Sequence, residues 1–412
     1  MRILFLTQFY WPEIRTAPLN LAALAEDLQD RGHNVTVVTG FPNHPFGRIY
    51  EGYRIKLWQW DNVRGVKVLR VPLFLDHSLS FIRRAVNYSS FALSATLTGS
   101  LLSRKLKADV IFVYLPPLTI GMPAAFLSRL HHAPVVYWMT DLWPENLIAA
   151  GAQLKPFIYN FIRYIENWVY NQGKIVCVNS PGLIDNLMGK GVDHKKIDVV
   201  PDWADENIFF PTKYDEDLAC QFGLSGKFNI IYGGNLGKVQ GLEVVIEAAQ
   251  RLQDLKDVQF VFIGDGTESE KLKKRVSECA LRNVIFIPRQ PPEQIHRFFA
   301  LADVLFVHLK REPVFEMQIP SKIIAYLACG RPVLCAVHGV AAKIIQNASA
   351  GVFCTSEDSL ILSTKVRYLY KMPRSELEKM GQNGRQAYLA EYTRKIQVSR
   401  VENILKKAVE VS

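Results

Sequence analysis

The most informative stretch of this chain is residues 317–333, MQIPSKIIAYLACGRPV, which predicts a short helix between a turn and a buried strand. Pro320 suits the start of this helix, because proline lacks the N–H that would have no partner there, and Gly330 suits a left-handed C-cap. The N–H groups of residues 321–323 are then expected to point outward without partners. Together with the charge of Lys322 they predict a site for an anion. On this segment alone, an ordinary strand–helix–strand crossover is an equally good interpretation.

The composition is typical of a large globular protein. The chain has 412 residues, of which 49% are hydrophobic and 21% are charged. This length predicts two domains, and this balance predicts a sizeable core rather than disorder. The first ten residues, MRILFLTQFY, contain too short an apolar run for a signal peptide and are expected to form the first strand.

The six cysteines predict neither disulfides nor a metal site. No two of them form a C-x-x-C pair, and most lie in apolar strand or helix patterns. They are therefore expected to be small buried residues of a protein in a reducing compartment. No His, Cys or carboxylate spacing is typical of a metal site either, so no metal is expected.

The chain carries an excess of positive charge. It has 49 Lys and Arg residues against 39 Asp and Glu residues, which gives a net charge of +10. This excess favours anionic partners such as a phospholipid surface or a phosphorylated substrate. Basic runs interleaved with aromatic residues are absent, so nucleic acid is not an expected partner. No apolar run reaches the roughly 18 residues of a spanning helix, so the chain is not expected to cross a membrane.

Strand and helix patterns alternate from one end of the chain to the other. Short runs rich in Val and Ile, separated by helical patterns, are typical of buried parallel strands. The periodicity is lost over residues 204–224, which are expected to form a linker. The predicted fold is α/β, with two doubly wound domains facing a cleft. The predicted strands are residues 3–6, 33–39, 66–71, 110–114, 135–139, 175–178, 229–232, 259–263, 284–287, 304–307 and 333–336.

Three loops at predicted strand ends in the second half carry residues that suit a ligand. YGGNLGK at residues 232–238 and GDG at residues 264–266 have glycines that allow a close approach of the backbone, and Arg289-Gln290 follows the next strand. Each loop alone is more typical of a plain turn or a solvated side chain. With the helix start at Ser321, the three loops predict one site for a nucleotide diphosphate.

Seven motifs follow one another in order: RGHNVTVVTG at 31–40, FPNHP at 41–45, DLWPE at 141–145, GNLGKVQGLE at 234–243, GDG at 264–266, PSK at 320–322 and GRPV at 330–333. This set resembles the retaining GT-B glycosyltransferases of family 4, and in particular the branch that builds bacterial O-antigen, capsule and colanic-acid polysaccharides. The resemblance covers essentially the whole chain. It implies a metal-independent enzyme without a cofactor. A nucleotide sugar is then expected in a C-terminal domain at residues 206–390. The acceptor is expected in an N-terminal domain at residues 1–205, against which the final helix, residues 394–412, packs.

The chain departs from the pattern of this family where the donor is usually held. Many relatives have two glutamates eight positions apart, which fall here at Met317 and Ala325. Glu316, one position away, is the residue available to replace the first. In addition, Thr140 stands where relatives usually have a histidine.

The cations that usually embrace the diphosphate are also replaced. The usual Arg and Lys fall at Asn235 and Gln240, as they do in this branch of the family. Lys238 and Lys322 are then the nearby cations. The donor-site residues implied by the resemblance and the loops are Gly234, Asn235, Lys238, Gln240, Gly264, Asp265, Gly266, Arg289, Gln290, Pro320, Ser321 and Lys322.

Three residues are expected to take part in catalysis: Asp141, Lys322 and Glu316. Lys322 would stabilise the departing diphosphate, and positioning of the acceptor would supply much of the rest. No enzyme nucleophile is expected, so Asp141 would orient the substrate or stabilise positive charge on the sugar. The alternative for Asp141 is a helix N-cap.

The acceptor is inferred from residues 73–107, where apolar side chains such as Phe74, Leu79, Phe81 and Ile82 stand beside basic ones. This pattern suits a peripheral enzyme on the inner face of the cytoplasmic membrane that reaches a polyprenyl-diphosphate-linked saccharide. A core helix pair with solvated ends is an equally good interpretation. The resemblance makes the donor a UDP sugar, with UDP-N-acetyl-L-fucosamine as one candidate.

Two other functions remain open from the sequence. A UDP-sugar 2-epimerase shares the same fold, but it would need further carboxylates and histidines in the cleft and no second substrate. A non-catalytic GT-B subunit is consistent with the missing glutamates. A test for hydrolysis of nucleotide sugars would separate an enzyme from such a subunit.

Overall fold

The computed structural model of the protein describes residues 1–13, 16–76, 80–149 and 151–410. The strands of its first half are β1 (Arg2–Leu6), β2 (Asn34–Gly40), β3 (Gln59–Val63), β4 (Val66–Val71), β5 (Val110–Leu115), β6 (Val135–Met139), β7 (Ile175–Val178) and β8 (Ile197–Val199). They form one sheet in the order β3-β4-β2-β1-β5-β6-β7-β8. All neighbours are parallel except β3, which pairs antiparallel with β4 at the edge.

Helices cover both faces of this first sheet. They are α1 (Thr16–Asp30), α2 (Phe81–Leu101), α3 (Gly121–His131), α4 (Glu145–Ala149), α5 (Pro156–Gln172) and α6 (Ile184–Gly189). The central strands β5, β6 and β7 are buried at every residue. Strands that are buried on both faces need apolar side chains at each position, which explains the continuous Val and Ile runs.

A second sheet occupies the other half of the chain. Its strands are β9 (Phe228–Gly233), β10 (Val258–Ile263), β11 (Val284–Ile287), β12 (Val304–His308), β13 (Val333–Ala336) and β14 (Gly351–Phe353). All are parallel, in the order β11-β10-β9-β12-β13-β14. The order reverses at β9, which pairs with β10 on one side and β12 on the other. Ligands of doubly wound sheets bind at such a switch point.

The remaining helices are α7 (Glu216–Gln221), α8 (Glu243–Arg251), α9 (Ser269–Glu278), α10 (Ile295–Phe299), α11 (Pro313–Met317), α12 (Ser321–Ala328), α13 (Val340–Asn347), α14 (Ser359–Tyr370), α15 (Arg374–Glu391) and α16 (Arg394–Glu410). Helix α16 packs on the first sheet, where Val398, Val401 and Leu405 join the core around β1 and β5. The side chain of Arg394 pairs with Asp27 on α1 over 2.7 Å. None of the helices in the described ranges is long and apolar enough to cross a membrane.

The structure confirms the predicted α/β architecture and corrects several details of it. Strands β3, β8 and β14 were not predicted; the last two have only three residues each, too few for a periodic pattern. The stretch 204–224 is not purely a linker, because α7 lies within it and is capped by Asp215, whose carboxylate accepts the N–H of Leu218 over 3.0 Å.

The two domains meet at α11. Val314 of this helix is buried in the core of the first domain, although α11 follows β12 of the second sheet. The hydroxyl of Ser180, after β7, donates to the carbonyl of Met317 over 2.5 Å. A side-chain carbon at Gly182 would lie 2.7 Å from the same carbonyl. The segment that leads into α12 is therefore held by the first domain.

Candidate functional site

The loops that follow β9 and β10 pack against each other at the carboxyl end of the second sheet. The N–H of Leu236 donates to the carbonyl of Asp265 over 2.9 Å. Gly264 has a φ of +144°, and a side-chain carbon there would lie 2.0 Å from the carbonyl oxygen of Gly234. A carbon at Gly266 would lie 2.5 Å from the backbone of Leu236. Gly264 and Gly266 are therefore required by the contact between the two loops, whatever ligand the loops bind.

The ammonium group of Lys322, on α12, lies against the first of these loops. It donates a hydrogen bond to the hydroxyl of Tyr232 and lies 3.8 Å from the centroid of that ring. It is also 3.3 Å from the place of a side-chain carbon at Gly234. Desolvation lowers the pKa of Lys322 to about 7, and no acidic group in the described part of the chain contributes to this shift. Lys322 is thus a desolvated cation suited to an anionic ligand.

The start of α12 agrees only in part with the prediction. The helix begins at Ser321 as expected, and Gly330 after it has a φ of +66°, as a left-handed C-cap requires. The prediction that the N–H of Ile323 points outward unpaired is wrong, because it donates to the carbonyl of Pro320 over 2.9 Å. Such i to i−3 bonds often tighten the first turn of a helix. Within the described residues, the first two N–H groups of α12 donate to no backbone carbonyl.

Two buried tyrosines, to which the sequence analysis assigned no role, fix α12 to the end of β9. The hydroxyl of Tyr326 accepts the N–H of Gly233 over 2.9 Å. The hydroxyl of Tyr232 donates to the carbonyl of Asn235 over 2.8 Å. Tyr326 stands four residues after Lys322, on the same side of the helix. Two sequence signals pointed to a role for these tyrosines. One is the four-residue spacing from Lys322 to Tyr326, and the other is the position of Tyr232 directly before two glycines.

A single turn of 3-10 helix, Lys238–Gln240, follows the loop after β9. Oε1 of Gln240 accepts the N–H of Gly237 over 3.0 Å. Its carbonyl oxygen is 2.6 Å from Nδ1 of His308, and the other ring nitrogen is 2.9 Å from the N–H of Glu357, which donates to it. Burial lowers the pKa of His308, which favours the neutral ring that these two bonds require. Oε1 of Gln240 is therefore engaged within the turn.

Two exposed residues of this region face solvent at the cleft between the domains. Asn235 and Lys238 are both exposed. Nζ of Lys238 lies 3.2 Å from the place of a side-chain carbon at Gly151, in the first domain. Lys238 thus reaches across the cleft, where its charge is accessible to a ligand held between the domains.

The third predicted loop lies farther from this centre. Arg289 and Gln290 follow β11, the edge strand, which is two strands away from β9. Arg289 is exposed, and the amide of Gln290 donates to the carbonyl of Pro288 over 2.8 Å. Among the described residues, neither side chain makes a hydrogen bond to Lys322 or to the loop after β9. The structure therefore places these two residues at the periphery of the site.

Glu316 lies in α11, directly before the segment that enters α12. Its backbone is packed against Gly339, where a side-chain carbon would lie 1.9 Å from the carbonyl of Glu316. The residue is half-buried at the junction of the two domains. The backbone of Glu316 is therefore fixed near the start of α12.

Asp141 follows β6 on the opposite wall of the cleft. Its Oδ1 accepts a hydrogen bond from the amide of Asn146 over 2.8 Å, and Asn146 in turn accepts one from Gln318 of the second domain over 3.4 Å. Helix α4 begins only at Glu145, so Asp141 does not stand at its N-cap. Desolvation and, more weakly, the charge of Asp141 raise the pKa of Asp202 to about 6. Asp202 is a second carboxylate of this wall that the sequence analysis missed.

The six cysteine thiols differ in their exposure. Four of the six cysteines are buried, Cys279 is half-buried and Cys220 is exposed, and all six are free. Across the described ranges, no group of three or more His, Cys, Asp and Glu residues is arranged to hold a metal ion.

Two family models match the chain, one on each domain. Residues 20–203 match the glycosyl transferase 4-like domain, and residues 220–387 match the glycosyl transferases group 1. Together the two matches include every strand of the two sheets except β1. The chain is a GT-B glycosyltransferase of family 4. The family and the fold predicted from the sequence motifs are therefore confirmed.

Relatives of this glycosyltransferase extend over most of its length. The putative colanic acid biosynthesis glycosyl transferase WcaI of Escherichia coli K12 is 28% identical over 339 residues, which cover 80% of this chain and 82% of WcaI. Sucrose-phosphate synthase from Thermosynechococcus elongatus has the same fold, with a TM-score of 0.78, 16% identity and full coverage of both chains. HepE from Anabaena, in complex with UDP, aligns with a TM-score of 0.74 and 17% identity over 99% of this chain and 100% of HepE.

Proposed function

We propose that this glycosyltransferase transfers a sugar, with retention of configuration, from a nucleotide-diphosphate sugar to a lipid-linked saccharide during the biosynthesis of a bacterial surface polysaccharide such as O-antigen or capsule. The observation that carries the proposal is the ammonium of Lys322, which has no ion-pair partner among the described residues and lies beside the start of α12 and the Gly234 loop. The charge, the free N–H groups and the close backbone suit a diphosphate.

The chemistry of the transfer follows from this geometry. As the bond between the anomeric carbon and the diphosphate breaks, negative charge grows on the departing oxygen. Lys322 and the first N–H groups of α12 stabilise that charge, so the proposal assigns no part to a metal. Asp141 lies on the facing wall, where it orients the acceptor or stabilises positive charge on the sugar. Glu316, beside the start of α12, is proposed to contact the sugar of the donor.

The donor in this proposal is a UDP sugar, and the enzyme needs no separate cofactor. HepE, a structural neighbour of this chain, was solved with UDP. Asn235 and Lys238 lie on the loop beside Lys322 and are accessible from the cleft, so they are proposed to contact the donor. UDP-N-acetyl-L-fucosamine is one candidate for the sugar.

The acceptor in this proposal is a saccharide carried on polyprenyl diphosphate. WcaI is named as a colanic acid biosynthesis enzyme, which supports a role in surface polysaccharide synthesis. We propose that the enzyme works as a peripheral protein on the inner face of the cytoplasmic membrane. The net charge of +10 favours attraction to the anionic lipids of that leaflet.

The affinity for the nucleotide sugar is expected to fall as the pH rises above neutrality. The pKa of Lys322 is lowered to about 7, so the ammonium loses its proton above that pH and no longer attracts the diphosphate. We expect affinity to fall by roughly tenfold between about pH 6 and about pH 8.5, measured by calorimetry with a nucleotide sugar. In Lys322→Arg the dependence should vanish, because a guanidinium stays charged throughout this range. Equal affinity of the wild type at both pH values would contradict this role.

The proposed activity can be tested with membranes that carry the lipid-linked acceptor. We expect one member of a panel of nucleotide sugars to be consumed and the product lipid to gain the mass of one sugar residue, as measured by mass spectrometry. The same yield is expected in the presence of EDTA. Loss of activity in EDTA and its recovery with magnesium or manganese would refute metal independence. Conversion of a nucleotide sugar to its epimer, without an acceptor, would refute transfer.

A further inference from the structure

Three neighbouring helices of the first domain expose an apolar surface on the side that faces away from the sheet. Each of α2, α3 and α5 has large apolar side chains exposed at spacings of three, four or seven residues, which is the pattern of one helical face. We call this surface the three-helix face. Its members are Ile82, Val86, Leu93, Leu97 and Leu101 on α2, Met122, Phe126 and Leu130 on α3, and Phe157, Phe161, Tyr164 and Trp168 on α5.

The three helices are packed tightly side by side. A side-chain carbon at Gly99 of α2 would lie 3.0 Å from Leu127 of α3. A carbon at Gly121, at the start of α3, would lie 2.4 Å from Val169 of α5. Since glycines bring both pairs of helices together, the exposed stripes form a broad surface. Contiguous apolar surfaces of this extent on soluble proteins mark sites of interaction.

Helix α5 is the most exposed part of this face. The side chain of Phe157 is 80% exposed and that of Tyr164 is 71% exposed. Phe157 and Phe161 stack with their ring centroids 6.5 Å apart. The opposite side of α5 is buried through Val169 and Tyr170. Side chains with aromatic rings on the outer face of an amphipathic helix are typical of a helix that lies in the surface of a membrane.

The charge of the three-helix face favours an anionic lipid surface over a second copy of this chain. The three helices contain one acidic residue, Glu166, which is fully buried and pairs with Lys190 over 2.8 Å. Apart from Asp76, which is buried and pairs with Arg83, the other charged residues on these helices or within six positions of their ends are basic. A dimer that packed this face on itself would bring two basic rims together, whereas anionic headgroups would neutralise them. The basic residues are Arg83, Arg84, Arg104, Lys105, Lys107, Arg129, Lys155, Arg163 and Lys174.

The expectation from the sequence covered only the first of these helices. The described part of residues 73–107 contains one helix, α2, and not a helix pair, and the inner side of α2 is core through Phe91 and Ala95. Leu79 lies outside the described residues, as does the side chain of Phe81. Arg83 is paired with the buried Asp76 over 3.2 Å. The apolar stripes of α3 and α5 were not predicted.

The inner side of α5 is connected to the loop that carries Asp141. Besides Glu166, the ammonium of Lys190 contacts Glu145 over 2.9 Å and donates to the carbonyl of Trp143 over 3.3 Å. Trp143 and Glu145 belong to the DLWPE motif that begins at Asp141. A membrane that binds the outer side of α5 is therefore separated only by that helix from the loop that carries Asp141.

We propose that the three-helix face docks on an anionic phospholipid bilayer, with α5 as its principal apolar anchor. The inference rests on the proposed function, because docking would bring the cleft to its lipid-linked acceptor. The aromatic side chains of α5 enter the interface, and the basic residues around them bind phosphate headgroups.

The docking can be measured without any sugar donor. We expect the wild-type enzyme to sediment with vesicles of phosphatidylglycerol and phosphatidylethanolamine, and at least tenfold more weakly with phosphatidylcholine alone. The variant Phe157→Ser, Phe161→Ser, Tyr164→Ser should lose at least tenfold in binding to the anionic vesicles. A matched control, Leu360→Ser, Tyr368→Ser, Leu389→Ser, removes three exposed apolar side chains from the second domain and should bind like the wild type.

Two results would overturn the proposal. One is equal vesicle binding by the α5 variant and the matched control. The other is a stable wild-type dimer in light scattering that the α5 variant dissociates, which would make a second copy the occupant of the face. The α5 variant should keep its activity on a short soluble acceptor and lose it on the lipid-linked one. Vesicle binding as expected, with no sugar transfer from any donor, would refute the proposed function but leave the docking intact.

Discussion

Replacing Lys322 with alanine is expected to lower the turnover of the nucleotide sugar by roughly 30- to 1,000-fold and to leave the fold intact. Loss of one charged donor to the departing diphosphate costs about 2–4 kcal/mol of transition-state stabilisation. The ammonium of Lys322 is desolvated and has the hydroxyl of Tyr232 as its partner, so its removal leaves no charge unpaired. Turnover is measured as the release of nucleoside diphosphate, and the fold by circular dichroism and thermal unfolding.

The control for this substitution is Lys379→Ala. Lys379 is exposed on α15 of the same domain, and its loss removes the same charge from the protein at a distance from the site. We expect this variant to turn over like the wild type. Near-normal turnover by folded Lys322→Ala would remove Lys322 from the proposed mechanism and leave the start of α12 without its cation.

The elements of this site that depend on local sequence could be predicted. Pro320 and Gly330 mark the two ends of α12 because proline suits a helix start and glycine suits a left-handed C-cap, and both effects act within a few residues. The buried strands were recognisable for a similar reason, since a parallel strand covered on both faces requires a run of apolar residues. The ordered motifs then specified the family.

The contacts that depend on tertiary packing could not be predicted. The pairing of Lys322 with Tyr232 joins residues that are 90 positions apart. The bond from Ile323 to Pro320 depends on how tightly the first turn winds, which sequence patterns do not specify. The outer side of α5 was also missed, because exposed and buried apolar residues on one helix look alike until the packing partner is known.

The loop glycines were correctly predicted to be important, but ligand binding alone does not explain why glycine is required there. Gly264 was predicted to allow a ligand close to the backbone, and the structure shows that a neighbouring loop already occupies that space. That neighbouring loop, which follows β9, also places Gly234 beside the ammonium of Lys322. We therefore expect the packing between the two loops and the binding of the proposed donor to be coupled through these glycines.

Gly264→Ala is expected to destabilise the second domain and to weaken donor binding together. The residue has a φ of +144°, which side chains with a β-carbon rarely adopt, and its new carbon would lie 2.0 Å from the carbonyl oxygen of Gly234. Backbone strain and overpacking each cost about 1–3 kcal/mol, so we expect the free energy of unfolding to fall by roughly 2–6 kcal/mol. For a domain of this size that corresponds to a decrease of roughly 4–24 °C in Tm.

The matched control for this prediction is Gly223→Ala, which separates the clash from the effect of φ. Gly223 belongs to the same domain and has a φ of +69°, but a side-chain carbon there would meet no other atom within 4 Å. The substitution Gly223→Ala should therefore lower the free energy of unfolding only by the strain of an alanine in the left-handed region, about 1–2 kcal/mol. The affinity for a nucleotide sugar should fall in Gly264→Ala alone, because displacement of Gly234 moves the loop under Lys322. If both variants unfold at the same temperature and bind the donor equally well, the contact between the two loops does not support the site.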